Sequence, residues 1–440
     1  MRLHQHRRLC QSIAVAFSSL GGIAAMASPN VQGGGSSLIA PAIGAIGNPV
    51  TEIGLFGTAE GSFTYYSVDS WAGQNAFLRN QPTYFGSTVT GTVHFANSDA
   101  ALSTAQLTSY KAGLGATNGP LIQIPYIVTP ITVPVVNGPA VTSTTTPQTT
   151  PGQAHSIALN DDDLCGIFSG RLTNWNQVTN PETNSPYLWM NVPITVIYRS
   201  NGSGTTELLT RHLAAVCTAY NTAPGVTFVD SLFLTDSFQG RVLPSSFIAA
   251  SGDGGVRRQL ASYASAGMAA VAYLAPNYTN TFLAPSSTVV TSAGALQLPV
   301  ASLVNAKNST YYAPTYANAT MALGTVTPPG LRVTAADPSQ WAETARSGVS
   351  NPASGYPVSG MSYIILSQCY ADPTVGTAVH DFLNAHYTNP SFASIVHGNG
   401  FDTIPTYFQT AISNEFLSNA RTWNLDIGNT SVCTGTVVGR

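Results

Sequence analysis

Charged side chains are scarce in this chain of 440 residues, in which Asp, Glu, Lys and Arg together make up only 8%. Lysine occurs only at Lys111 and Lys307, so the sequence offers no basic face of the kind that nucleic-acid binding needs. The eight histidines show no HExxH or other metal-ligand spacing, and we therefore expect neither a metal site nor a cofactor. Disorder is excluded as well, because apolar residues make up 44% of the chain.

The sequence also lacks an apolar run long enough to span a bilayer as a permanent helix. An apolar stretch near the N-terminus, about Ile13 to Ala25, follows three early arginines and leads into Ala25-Met26-Ala27. This order predicts a secretory signal peptide over residues 1–27 and a periplasmic or secreted protein that is not embedded in a membrane. The 413 residues that would remain of the 440 carry 13 basic and 19 acidic side chains, and they suffice for two or three domains.

Cysteine is also infrequent, with four residues beyond position 27: Cys165, Cys217, Cys369 and Cys433. An even number in an oxidising compartment predicts two disulfides, although the spacing alone leaves three pairings open. No two of these cysteines form a CxxC pair.

Strand-like and helix-like segments alternate along most of the sequence. The strand-like segments are Ile122–Val136, Val192–Tyr198, Ala269–Tyr273 and Ser362–Leu366, and the helix-like ones are Asp163–Ser169, Thr206–Tyr220, Val256–Ala266 and Thr377–His386. This alternation predicts an α/β fold with largely parallel sheets. Two segments depart from it: Thr142–Thr150 is a Thr-rich loop, and residues 274–332, rich in Pro, Asn, Ser and Thr, are expected to form strands and loops.

The segment RSNGSGTT (199–206) lies between a predicted strand and a predicted helix. Its glycines allow a ligand to approach the backbone, and the helix N-terminus offers free N–H groups and the positive end of a dipole. Arg199 adds a guanidinium that can form two parallel hydrogen bonds to an oxyanion. The segment therefore indicates an anion-binding loop, and the plain alternative is a Ser/Thr N-cap beside a tight glycine turn.

Three further segments give weaker indications: GGGSSL (33–38), YSVDSWAG (66–73) with Ser70, and NSDA (97–100) with Asp99. By itself each has a structural explanation, namely a flexible glycine run, a turn, and an Asp N-cap for the next helix.

Together these segments resemble the phosphate-binding proteins of bacterial phosphate ABC transporters, and especially the DING branch of that superfamily. The matching stretches, spread over nearly the whole mature chain, are GGGSSLIAP (33–41), VHFANSDAALS (93–103), LCGIFSGRLTNW (164–175), ITVIYRSNGSGTTELLTRHL (194–213) and NPASGYPVSGMSYIILSQCYAD (351–372). One departure is the sequence Asn-Val-Gln (30–32) where Asp-Ile-Asn usually precedes the glycines, and the Thr-rich loop resembles an insertion.

The resemblance implies a two-lobe periplasmic-binding-protein fold of type II, in which two mixed α/β domains are joined by a two-strand hinge. Lobe I would comprise residues 28–128 and 359–440, and lobe II residues 129–358. The hinge strands would lie near Ile122–Thr129 and Gly355–Ser362. The family pattern also implies the disulfides Cys165–Cys217 and Cys369–Cys433.

Carried over motif by motif, the resemblance implies a phosphate site between the lobes. Its residues would be Ser37, the backbone of Leu38, Ser70, Asp99, Arg199, Ser203, Gly204 and Thr205. Asp69 and Trp71 stand where glycines are usual, and Asn201 stands where an acidic residue is common, which bears on the orientation of Arg199. The implied function is high-affinity binding of inorganic phosphate by an exported monomer, which delivers phosphate to an ABC permease or scavenges it outside the cell.

The chemistry of this set favours phosphate over sulfate. Most members are hydrogen-bond donors, whereas an ionised Asp99 can only accept. It therefore needs a proton on the ligand, which phosphate carries at neutral pH and sulfate does not. Such a missing hydrogen bond discriminates by about 10⁴–10⁵-fold.

Two other functions compete with this one. A secreted phosphatase or phosphoesterase could use the same anion loop, but it would need a nucleophile with an activating base or a metal cluster. An extracellular adhesion protein would suit the Thr-rich loop and the uncharged polar surface. The acidic run Asp161–Asp163 can be interpreted as a calcium site or as a helix N-cap, and the N-cap is favoured.

Overall fold

A computed structural model describes residues 28–279, 297–345 and 348–440. The predicted signal peptide, residues 1–27, lies outside the described residues. Over the described residues the fold is mixed α/β, with four sheets whose strands alternate with helices along the chain. None of the helices within these ranges is long and apolar enough to cross a membrane.

The strands are, in chain order, β1 (Asn30–Gly35), β2 (Ser62–Ser67), β3 (Phe95–Ser98), β4 (Leu121–Pro130), β5 (Val135–Val136), β6 (Ala158–Leu159), β7 (Thr179–Asn180), β8 (Ser185–Pro186), β9 (Thr195–Arg199), β10 (Phe247–Ala250), β11 (Ala270–Ala272), β12 (Ser302–Asn305), β13 (Thr310–Tyr312), β14 (Ser359–Ser367) and β15 (Asp402–Thr403).

The α-helices are α1 (Ala40–Ile43), α2 (Glu52–Phe56), α3 (Ser70–Arg79), α4 (Thr104–Ala112), α5 (Gly115–Asn118), α6 (Asp161–Ser169), α7 (Gly204–Val216), α8 (Gly252–Ser265), α9 (Pro276–Thr279), α10 (Tyr316–Leu323), α11 (Arg332–Ala335), α12 (Pro373–Thr388), α13 (Pro390–Gly398) and α14 (Thr406–Ile412). Short 3₁₀ turns and one π-helical turn, Ser413–Leu417, complete the regular structure.

The largest sheet has six strands in the order β15-β4-β14-β3-β1-β2. Strands β2, β1 and β3 run parallel, so their carboxyl ends meet at one edge of the sheet. Strand β14 is antiparallel to both of its neighbours, β3 and β4. Both β4 and β14 are buried along their whole length, which is the reason that apolar residues predominate in them.

A second group of sheets is built from the chain between β4 and β14. Its main sheet has the order β10-β9-β11-β5, with β10, β9 and β11 parallel. A three-stranded sheet, β13-β12-β6, and the pair β7-β8 complete this group. The carboxyl ends of β9, β10 and β11 therefore form a second edge of the same kind.

The chain passes between the two groups of sheets at β4 and β14. These strands pair from Pro130↔Ser359 to Leu121↔Ser367, with a register shift between Ser362 and Tyr363. The second crossing strand thus begins at Ser359, four residues after the predicted start at Gly355. The lobe boundaries at 128/129 and 358/359 stay a prediction.

Two disulfides tie down segments outside the crossing strands. Cys165 in α6 is bonded to Cys217 at the end of α7, and Cys369 after β14 is bonded to Cys433 near the C-terminus. This is the pairing that the family resemblance implies.

Some local predictions differ from the structure. The part of 274–332 that is described contains a two-turn helix, α10, whose N-cap is Thr315; the Pro, Asn and Thr around it had favoured loops. In the segment NSDA (97–100), Asn97 and Ser98 belong to strand β3 and not to the loop after it.

Candidate anion-binding site

Six loops converge where the two groups of sheets face each other. Three follow the parallel strands β1, β2 and β3, and three follow β9, β10 and β11. Ligands of open α/β sheets bind at the carboxyl ends of the strands, because the loops and helix N-termini there present free backbone groups.

The loop after β1 carries two adjacent buried serines, Ser36 and Ser37. It follows Gly35, the last residue of β1, whose φ is +138° and where a Cβ atom would lie 2.1 Å from the carbonyl oxygen of Asn97. Only glycine fits there, and the close approach places Ser36 against the loop after β3. The backbone N–H of Leu38 donates to Ser36 Oγ over 3.1 Å, and the Leu38 side chain belongs to the core.

The carboxylate of Asp99, directly after β3, is held by hydroxyl groups. Ser36 Oγ donates to Oδ2 over 2.6 Å and Ser362 Oγ, from β14, donates to Oδ1 over 2.8 Å. Ser70 Oγ lies 3.5 Å from Oδ2 and accepts from the backbone N–H of Asp99 over 3.2 Å. Asp99 caps no helix, since Ser103 is the N-cap of α4.

No cation touches the Asp99 carboxylate in the described part of the chain, and its side chain is fully buried. Desolvation raises the pKa of Asp99 from its usual 3.8 to about 6, although the hydrogen bonds from Ser36 and Ser362 lower it. The negative charge of Asp253 raises the pKa further and the positive charge of Arg199 lowers it. Asp99 can therefore change protonation state close to neutral pH.

A second carboxylate, that of Asp253, holds Arg199. Arg199 Nη1 lies 2.7 Å from Asp253 Oδ2, and both side chains are 1% exposed. Ser37 Oγ donates to the same Oδ2 over 2.6 Å, and Arg199 Nη2 donates to Ser37 Oγ over 3.2 Å. Asp253 is the second residue of α8, so the N-terminal dipole of that helix also favours its negative charge.

This arrangement explains the asparagine at position 201. Asn201 Oδ1 accepts from Arg199 Nε over 3.1 Å and from the backbone N–H of Gly252 over 3.2 Å. The carboxylate that pairs with the guanidinium comes from α8 instead of from the arginine's own loop.

The N-terminus of α7 closes the site from the other side. Ser203 is its N-cap and accepts from the backbone N–H of Thr206. Thr205 Oγ1 is fully buried and has no hydrogen-bond partner among the described residues, a costly state unless a ligand supplies one. Gly204 packs so closely that a Cβ there would lie 2.5 Å from Asp99 Cβ and 2.7 Å from Ser70 Oγ.

Direct hydrogen bonds join the two sets of loops. The backbone N–H of Trp71 donates to the carbonyl oxygen of Gly202 over 3.0 Å. Asn277 Nδ2 donates to the carbonyl oxygen of Leu38 over 2.9 Å, and the Tyr278 hydroxyl donates to that of Ser37 over 3.1 Å. The two sides of the cleft are in contact in this conformation.

The structure thus places all eight predicted site residues in one buried region, grouped in two clusters. The Asp99 cluster contains Ser70, Asp99 and Gly204, and the Arg199 cluster contains Ser37 and Arg199; Ser203 and Thr205 flank Gly204, and Leu38 follows Ser37.

Sequence reasoning missed Ser36, Ser362 and Asp253. Ser36 and Ser362 lie inside stretches that match the family, but nothing in the sequence distinguished them from their neighbours. The signal for Asp253 was SGDGG (251–255) between strand-like and helix-like residues. The predicted start of that helix at Val256 hid it, because the helix begins at Gly252.

Outside this site, the acidic run 161–163 forms a helix start. Asn160 and Asp163 make a reciprocal capping box for α6, and Asp163 Oδ1 accepts from the backbone N–H of Thr179. In the ranges that the structure describes, no group of three or more His, Cys, Asp or Glu side chains could hold a metal ion.

Comparisons with a family model and with known sequences indicate the same family. The model of the PBP superfamily domain matches residues 23–323. Alkaline phosphatase L of Pseudomonas aeruginosa is 32% identical over 423 residues, which cover 96% of this chain and 98% of that protein. A phosphate-binding protein of an unknown prokaryotic organism is 32% identical over 377 residues, which cover 84% and 92%.

Solved structures agree with the sequence comparison. The high-affinity periplasmic phosphate-binding protein PfluDING, bound with phosphate at pH 8.5, has a TM-score of 0.73 at 31% identity, over 93% of this chain and 99% of that one. An ancestral soluble variant of the Human Phosphate Binding Protein has a TM-score of 0.72 at 31% identity, with the same coverage. The predicted type II two-lobe fold is confirmed by these neighbours. The chain therefore belongs to the PBP superfamily and, within it, to the DING branch of the periplasmic phosphate-binding proteins.

Proposed function

We propose that this protein binds inorganic phosphate between its two lobes through the eight residues predicted from the sequence, together with Ser36. The observation that carries the proposal is the composition of the buried site. It joins a guanidinium, serine and threonine hydroxyls and a helix N-terminus to one carboxylate, Asp99, that no cation touches among the described residues.

These groups suit a protonated oxyanion. The donors replace the water that a phosphate ion loses on entering the cleft. Asp99 accepts the proton of the ligand, and an anion without a proton would face it at hydrogen-bond distance with no bond between them. Selectivity for phosphate over sulfate follows from this contact.

The lobes would open and close about the crossing strands. The contacts of Trp71 with Gly202, and of Asn277 and Tyr278 with the loop after β1, would then break on opening. The hydrogen bonds of Ser37 with Asp253 and Arg199 also join the two lobes and would break too, and the motion would be of the hinge type. The lobes would be residues 28–128 with 359–440, and 129–358.

Binding rather than catalysis is the proposed role. The relatives named alkaline phosphatase L make hydrolysis the second candidate. A serine nucleophile is usually activated by a histidine base. In the described ranges the histidines bond elsewhere, for example His212 to Ser350 and Asp161.

The setting of the protein is the periplasm or the exterior of the cell, consistent with the two disulfides. We further propose that it acts as a monomer and passes phosphate to an ABC permease or scavenges it. Export with cleavage after Ala27 is part of the same proposal.

Titration calorimetry on the mature, phosphate-stripped protein tests the function. We expect one phosphate site and no detectable heat with sulfate. Asp99→Asn should narrow the ratio of phosphate to sulfate affinity by about 100-fold or more, since an amide can donate to an unprotonated oxygen. Arg199→Ala should weaken both anions together.

The same samples should release no product from p-nitrophenyl phosphate beyond the buffer blank. Correctly folded protein that takes up no phosphate, or an Asp99→Asn variant with unchanged selectivity, would refute the site assignment.

A further inference from the structure

Asp253 adds a second acceptor-only group to the anion site. Its carboxylate is fully buried and accepts from Arg199 Nη1 and Ser37 Oγ, two groups that the proposed function assigns to phosphate. The two carboxylates depend on neighbouring hydroxyls, Asp99 on Ser36 and Asp253 on Ser37.

The hydrogen bonds of Ser37 show that Asp253 occupies a donor that the ligand would otherwise use. The single hydroxyl proton of Ser37 goes to Asp253 Oδ2, and its oxygen accepts from Arg199 Nη2 and from the backbone N–H of Asp253 at 3.3 Å. A hydroxyl has one proton and two lone pairs, so this one is fully used. Ser37 can donate to a phosphate oxygen only if its hydroxyl breaks the hydrogen bond to Asp253 Oδ2.

Two outcomes of ligand entry follow. If Ser37 turns to the ligand, Asp253 Oδ2 loses a hydrogen bond and needs a proton from elsewhere. If Ser37 stays with Asp253, the ligand meets one donor fewer. In either case the site supplies one proton less than a site without Asp253, while Asp99 already requires one proton from the anion.

We propose that Asp253 makes this site bind phosphate with one proton more than the dibasic anion carries, so that the bound form is dihydrogen phosphate or its equivalent, the dibasic anion beside a protonated carboxyl. This inference rests on the proposed phosphate-binding function and specifies the protonation state of its ligand. It makes the protein a binder whose affinity rises as the pH falls from alkaline values towards neutrality.

The charged and titratable groups around Asp253 support this balance. Arg199 on β9 is the cation in contact with it, and Asp99 faces it from the loop after β3. Tyr273 and Tyr278 lie on the segments after β11, and burial raises the pKa of both, that of Tyr273 to about 12. Tyr65, on β2 beside Asp99, likewise has a pKa raised by burial. These tyrosines remain neutral, and the extra proton belongs to the ligand or to a carboxyl.

The direction of the pH dependence follows from the same groups. Below about pH 6, Asp99 already holds a proton, and dissolved phosphate is mainly in its dihydrogen form. The bound form keeps only one proton beyond that of the dibasic anion, so binding then releases the proton of Asp99, and the association constant falls as the pH drops further. Above neutrality Asp99 is ionised and the dissolved phosphate is mainly the dibasic anion, so binding must take up one proton. The association constant should then fall about tenfold per pH unit.

The test is titration calorimetry with inorganic phosphate on the mature, phosphate-stripped protein at a series of pH values. Repeating each titration in two buffers of different ionisation enthalpy counts the protons taken up. We expect uptake of one proton above neutrality in the unsubstituted protein and close to none in Asp253→Asn, whose amide can donate as well as accept.

A second variant is a control that keeps a carboxylate next to Arg199 when Asp253 is replaced. In the double variant Asn201→Asp with Asp253→Asn, a carboxylate stands beside Arg199 Nε, where Asn201 Oδ1 lies at 3.1 Å. The hydrogen bonds of the Asn201 side chain go to Arg199 and Gly252 and not to Ser37, so this variant should bind phosphate without the proton uptake.

The results separate the two proposals. Folded protein that binds no phosphate at any pH would refute the proposed function. Phosphate binding with no proton uptake above neutrality, or with the same uptake after Asp253 is replaced, would overturn only the role of Asp253.

Discussion

Asp99 and Asp253 are two buried aspartates in one site, and different partners neutralise them. Asp99 has hydroxyl groups from three segments, whereas Asp253 has a guanidinium at 2.7 Å and the hydroxyl of Ser37. A carboxylate that only hydroxyls stabilise stays expensive to ionise, and the pKa of Asp99 rises to about 6. The same residue type thus serves as a proton acceptor for the ligand in one place and as an anchor for the arginine in the other.

The largest effect should come from breaking the ion pair. Arg199→Ala leaves Asp253 buried without its cation, which costs about 3–5 kcal/mol of unfolding free energy. The double variant Arg199→Met with Asp253→Leu should avoid most of that loss, because replacing a whole buried ion pair by apolar side chains often leaves stability unchanged. Urea unfolding of the ligand-free protein measures both.

The matched control is the exposed pair of Arg241 and Asp236, at 3.0 Å with Arg241 75% exposed. Arg241→Ala should cost less than about 1 kcal/mol. An equal loss from both arginine variants would contradict the importance of burial for the Arg199 pair.

The next effect concerns the protonation of Asp99. Because its folded pKa is raised from 3.8 to about 6, the folded protein binds this proton more tightly than the unfolded chain does. The contribution of Asp99 to stability is therefore present below pH 3.8 and is lost as pH rises to about 6. Asp99→Asn should become more stable relative to the unsubstituted protein across this window, by at most about 3 kcal/mol.

Unfolding free energies of both proteins, measured without phosphate at several pH values, give this difference directly. Other buried acids such as Asp163, whose pKa burial raises to about 7, affect both proteins equally. A difference that stays constant between pH 3.8 and 6 would show that Asp99 does not titrate there.

The smallest effect distinguishes the adjacent serines. Ser36→Ala removes the 2.6 Å hydrogen bond to Asp99, whose carboxylate no cation contacts among the described residues. This should lower the unfolding free energy by about 2 kcal/mol. Ser37→Ala removes a bond of equal length to Asp253, which keeps Arg199, and should cost about 1 kcal/mol.

Chemical denaturation at neutral pH, with the exposed Ser265→Ala as control, ranks the two variants. The reverse order would mean that the hydroxyl matters more to the ion-paired carboxylate than to the isolated one.

The local sequence determined much of this protein. The strand-turn-helix order around 199–206 follows from a β-rich run, two glycines and a Ser N-cap, all within a few residues of one another. The same holds for the capping box at Asn160 and Asp163 and for the mainly apolar strand β4. Such features depend on neighbouring residues alone, and the family motifs added the predicted ligand set.

Tertiary structure alone decided which groups meet. Ser37 and Asp253 are 216 residues apart, and Asp99 and Ser362 are 263 residues apart. The first hydrogen bond depends on how two sheets face each other, and the second on the pairing of β14 with β3; no local pattern records either. The partner of Arg199 could not be inferred from the asparagine at position 201 for this reason. Composition and short motifs determined the fold class and an anion-binding loop, whereas long-range packing set the charge balance and therefore the number of protons that the ligand must bring.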